Sequence, residues 1–70
     1  MKNWSADFVN DPNDDYNIIA EIYCNSEEIG VIRKMDDVLK FRIYSRGNDI
    51  DVPAEWLAGL LNELRARRES

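Results

Sequence analysis

At 70 residues and 8.2 kDa the chain holds one small domain, residues 1–70, with 44% hydrophobic residues and a net charge of -5. Histidine is absent and Cys24 is the single cysteine, which excludes an internal disulfide, the usual zinc ligand sets and nucleophiles activated by an imidazole. No run approaches the roughly 18 apolar residues of a membrane helix, and the Met1-Lys2-Asn3-Trp4 start lacks the apolar core of a secretory leader, so a cytoplasmic location is expected.

Four segments alternate with a period of two, the signature of half-buried strands. In residues 2–10, Trp4, Ala6 and Phe8 share one face while Ser5 and Asp7 take the other. Asp11-Pro12-Asn13-Asp14-Asp15 then breaks the run, because proline cannot donate to a ladder and Asx side chains favour turns. Residues 16–24 place Tyr16, Ile18, Ala20, Ile22 and Cys24 together, with Ile19, Glu21 and Tyr23 opposite. Short turns at Asn25-Ser26-Glu27 and Met35-Asp36-Asp37 separate two further strands, 28–34 and 38–45, the last with Leu39, Phe41 and Ile43 in line. After the turn at Arg46-Gly47-Asn48, residues 49–52 have room for a short edge strand.

The period then changes to that of a helix. Trp56, Leu57, Leu60, Leu61 and Leu64 recur at steps of three and four and predict a helix over 53–68. Pro53 suits its first turn, with Asp51 or Val52 as cap, and Glu63 with Arg67 forms a well-ordered i,i+4 pair. The expected fold is therefore α+β: an antiparallel meander of four to five strands with one C-terminal helix on one face. Trp4, Phe8, Ile18, Ile22, Leu39, Phe41 and Ile43 should meet the apolar stripe of the helix.

One helix covers only one side of such a sheet. By alternation the other side carries Ile19, Glu21, Tyr23, Val38, Lys40, Arg42 and Tyr44, joined by Val9 and Ile32. Tyrosines and aliphatics beside an arginine have the make-up of a protein interface, although scattered surface apolars also occur on ordinary domains. Charge is uneven along the chain: residues 1–31 sum to -6 and residues 32–70 to +1. Asp7, Asp11, Asp14, Asp15, Glu27 and Glu28 would gather at the turns of the first strands as an acidic edge that steers basic partners. The blander role of such loops is solubility.

Chemistry finds little support. Asp11, Asn13 and Asp15 open like a calcium loop, but Tyr16 stands where glycine makes its turn and Ile22 where its bidentate glutamate belongs. Cys24 falls on the core face with no base to activate it. Gly30, Gly47 and Gly59 are isolated, so no phosphate loop exists. No cofactor, metal or catalytic residue is assigned, and the chain is not read as an enzyme. Lys40 and Arg42 beside Tyr23 and Tyr44 could stack and neutralise a nucleic acid, but the net charge opposes it.

The runs Asp14-Asp15-Tyr16-Asn17-Ile18-Ile19-Ala20-Glu21-Ile22, Glu28-Ile29-Gly30-Val31-Ile32 and Val52-Pro53-Ala54-Glu55-Trp56-Leu57-Ala58-Gly59-Leu60-Leu61 give a layout that resembles small acidic immunity-type proteins of bacterial polymorphic or contact-dependent toxin systems. The resemblance implies a tight complex with a cognate toxin, often a nuclease, and no catalysis. The expected function is thus a non-catalytic, protein-binding inhibitor. Ile19, Tyr23 and Tyr44 serve as its anchors beside Arg42, and Glu21, Asp14, Asp15, Glu27 and Glu28 steer a basic partner. Two alternatives use the same features: a homo-oligomeric structural or regulatory module, such as a homodimer joined through the second sheet face, and a phage anti-defence protein that mimics nucleic-acid phosphates.

Overall fold

A computed structural model describes residues 2–44, 47 and 49–69. It contains β1 (Trp4–Asp11), a 3-10 turn (Pro12–Asp14), β2 (Asn17–Cys24), β3 (Glu27–Met35), β4 (Val38–Ile43) and α1 (Ala54–Glu69). The four strands form one antiparallel sheet in the order β1-β2-β3-β4, and α1 packs on one face. The expected α+β meander with a C-terminal helix is what the chain forms.

Tight turns fix the register. Asn25 and Ser26 (φ 52° and 68°) join β2 to β3, and Asp36 and Asp37 (φ 55° and 63°) join β3 to β4. Two successive left-handed residues make the turn whose twist matches a hairpin, normally the province of Asn-Gly. In the β1–β2 connection the Asp11 side chain accepts from the Asn13 N–H at 3.0 Å, the Asx turn that the sequence suggests.

The core lies between sheet and helix. Ala20, Ile22, Ile29 and Ile32 meet Leu60 and Leu64, with Ile22 and Leu64 wholly buried. Burying each of those two side chains contributes about 1.5–3 kcal/mol. Trp4 and Trp56 bring their rings to 5.8 Å at a tilt of 44°. At the far end of α1, the Arg67 guanidinium lies 4.2 Å over the Phe8 ring, and Arg68 donates to the Ile18 carbonyl at 2.8 Å and to Asp14 at 3.1 Å. The expected Glu63–Arg67 pair forms at 2.9 Å. Helix α1 is thus fastened at both ends to β1 and β2.

Several local expectations need correction. Tyr16 is not a core residue: it sits in the turn at φ 59° and is 68% exposed, because β2 begins one residue later. Ile32 is buried on the helix side, and Val31 holds the position on the open face. The cause is a β-bulge, since Ile22 faces Gly30 while Tyr23 faces Glu28, leaving Ile29 as the extra residue. Ile43 lies on the helix side yet is 45% exposed, because α1 sits over β1 and β2 rather than β4. Residues 49–52 form no strand; Ile50 and Val52 instead pack against the core. Pro53 precedes the helix and its carbonyl accepts the first bond, from the Leu57 N–H at 3.0 Å, so the cap is neither Asp51 nor Val52. Strand β4 ends at Ile43; the expected end at Ser45, with Arg46 and Asn48 of the next turn, lies outside the described residues.

Candidate functional site

The sheet face turned away from α1 is assembled in rows. Ser5 lies opposite Tyr23 and Tyr23 opposite Glu28; in the next row Asp7, Glu21, Val31 and Arg42 follow one another across all four strands. Tyr44 continues the first row, since its N–H donates to the Ile29 carbonyl at 2.8 Å. The bulge matters here. Without the extra residue Glu28 would share the helix side with Gly30, and with it Glu28 stands between the two tyrosines.

The cluster is hydrogen-bonded within itself. The Tyr44 hydroxyl donates to Glu28 at 3.0 Å and the Tyr23 hydroxyl to Glu21 at 3.4 Å. Burial pushes the Tyr44 phenol above its ordinary value, and its bond to Glu28 adds to the rise. Tyr23 is also raised, first by loss of solvent and then by the negative charges of Glu21, Glu28 and Asp7. A shallow concavity of about 270 Å³ opens beside Tyr23, lined by Ser5, Asp7 and Ser26. A larger open groove of about 460 Å³ lies on the other side of the sheet, between β1 and α1, along Phe8, Trp56 and Glu63.

The floor of the face is apolar. Ile19 and Val31 are buried although no helix covers them, so Ile19 supports its neighbours rather than projecting as an anchor. Arg33 crosses β2 from β3 to meet Asp11 on β1 at 2.6 Å, closing the lower part of the face. That pair is a functional-looking feature that alternation alone did not reveal. Its signal in the sequence is only that an acid at a strand end and an arginine fall on one face.

The structure brings Ile19, Glu21, Tyr23, Glu28, Arg42 and Tyr44 onto this one face. It does not gather the acids into one edge. Asp14 and Asp15 occupy the β1–β2 turn, and Glu27 and Glu28 begin β3 at the opposite end of the strands, about 24 Å away by strand length. Asp14 is engaged by Arg68 and Asp11 by Arg33, so two of the expected steering charges are neutralised within the fold. Asp15 is exposed, and Glu27 faces Cys24 across the β2–β3 hairpin.

Other chemistry is thin. Among the described residues no three His, Cys, Asp or Glu side chains converge to hold a metal, and no helix is long and apolar enough to cross a membrane. Cys24 is a free thiol packed against the core. No family model matches the chain, and no curated protein and no solved structure matches it.

Proposed function

We propose that the chain is a non-catalytic binding domain whose uncovered sheet face docks on another protein and inhibits it. The observation that carries this reading is the Tyr23–Glu28–Tyr44 row, with Glu21 and Asp7 beside it, on the face opposite α1. Aromatic side chains with a polar tip contribute large contact area at low entropic cost and dominate interface energetics. The acids around them favour a partner that presents arginine or lysine, as a nuclease or other nucleic-acid-directed toxin does. A cytoplasmic inhibitor of such a toxin fits both this surface and the layout of the chain.

The test is capture followed by crosslinking. A photoreactive residue at position 23 should crosslink a captured basic protein, and the same group at Asn62, exposed on α1, should not. Equal crosslinking from both positions would remove the open face from the account.

A further inference from the structure

Among the described residues no strand pairs with the outer side of β1 or β4, and the two edges are unlike. The inward bond of the Tyr44 N–H places Leu39, Phe41 and Ile43 with their own N–H and C=O groups directed off the free edge of β4. On β1, the Asp11 and Asn3 carbonyls accept from Tyr16 and Asn25, both at 2.8 Å, so the residues between alternate and Trp4, Ala6 and Phe8 direct theirs outward. Apart from Asn10 at the far end of β1, both outward sets are apolar, and they lie on the helix side. The β4 edge is the less protected one, with Val38 and Ile43 exposed beyond the reach of α1.

Charge distinguishes the edges further. On the open face β4 carries Lys40, in an exposed pair with Asp36 at 3.8 Å, and Arg42, which makes no ion pair among the described residues, only a bond to the Met35 sulfur. Strand β1 carries Asp7, which stands directly opposite Glu21, a like-charge pairing that weakens a sheet. Neither Asp7 nor Glu21 has a basic partner among the described residues.

We infer that the β4 edge receives the β1 edge of a second copy of this chain, extending the sheet head to tail. In the antiparallel register that sets Phe41 against Ala6 of the next copy, Leu39 meets Phe8, Ile43 meets Trp4 and Val38 meets Val9. Lys40 then meets Asp7 directly and Arg42 meets it diagonally. Every outward backbone group on these positions finds its complement, and the Asp7–Glu21 repulsion gains a counter-charge. The symmetric alternative, β4 against β4, would set Lys40 against Arg42 and is disfavoured by charge. Head-to-tail contacts do not close on two copies, so the assembly grows with concentration. The inference does not rest on the proposed function, because it uses the edges and leaves the tyrosine row free, engaging Asp7, Lys40 and Arg42 at the margins of that face.

Sedimentation of the full chain from micromolar to millimolar concentration tests it. Mass should rise continuously past that of a dimer. Lys40→Glu or Asp7→Lys alone should weaken association about tenfold at low salt, and the two together should restore it. Ile43→Pro, which removes an outward N–H and no bond to β3, should abolish it while the circular dichroism stays native. A monomer throughout would overturn the inference. So would a mass that stops at the dimer and is strengthened by Lys40→Glu, or association indifferent to all three substitutions.

Discussion

Replacing Arg33 by methionine isolates Asp11, the most deeply placed charge among the described residues. The Asp11 side chain is only 6% exposed and receives Arg33 at 2.6 Å; its other oxygen accepts from the Asn13 N–H. Removing one partner of a buried pair costs about 3–5 kcal/mol, because the remaining charge is left uncompensated. The arginine end is more open, at 28%, so water reaching the vacated side reduces the expected loss to about 2–3 kcal/mol. A 70-residue domain has about 3.5–10 kcal/mol of stability in all. With a slope near 1 kcal/mol/M the urea midpoint should therefore fall by about 2–3 M. Asp11→Asn preserves the Asx turn and removes the charge, so adding it to Arg33→Met should recover most of the loss. The buried Arg33 Nε has no hydrogen-bond partner among the described residues, a desolvation cost that Arg33→Met relieves in the single and the double variant alike. If Arg33→Met lies within about 0.5 kcal/mol of the wild type, the pair is a surface contact and the reasoning fails.

Gly30→Ala tests the packing of β4, because a Cβ at that position would come within 2.5 Å of the Arg42 carbonyl oxygen and 2.8 Å of the Phe41 ring. Backbone cannot yield cheaply, and denaturant unfolding should show a loss of about 1–3 kcal/mol. Ser26→Gly relieves a left-handed residue in the β2–β3 turn (φ 68°) and should raise stability by about 0.5 kcal/mol after the entropy of glycine is counted. Alkaline titration reads the tyrosine row. Both phenols are raised above 10.0 in the folded state, so their contribution is complete below pH 10.0 and is lost as pH climbs through the folded values. Tyrosinate absorbance should show a late component that Tyr23→Phe and Tyr44→Phe each diminish, with stability falling over the same range.

Most of the fold was legible because burial has a period. Alternation in Trp4–Phe8, Ile18–Cys24 and Leu39–Ile43 and the leucine spacing of α1 are direct records of one-sided burial. What alternation cannot carry is an inserted residue. Ile29 shifts the phase of β3, and with it Ile32 goes to the core and Val31 to the open face. Tyr16 departs from the pattern for a related reason: its alternation with Ile18 is real, but a left-handed turn residue does not belong to the ladder. The grouping of Tyr23, Glu21 and Tyr44 followed from alternation, whereas the fate of the acids did not. Asp11 and Asp14 are matched by Arg33 and Arg68 from 22 and 54 residues away, and nothing local announces such pairs.

The affinity of the captured partner for point variants tests the role of the open face as a protein-binding surface most directly. Tyr23→Ala and Tyr44→Ala should each keep native circular dichroism and weaken binding by more than about 1 kcal/mol, while Asn62→Ala on the exposed side of α1 leaves it unchanged. Undiminished affinity in both folded tyrosine variants would contradict the claim and move the search to the groove between β1 and α1.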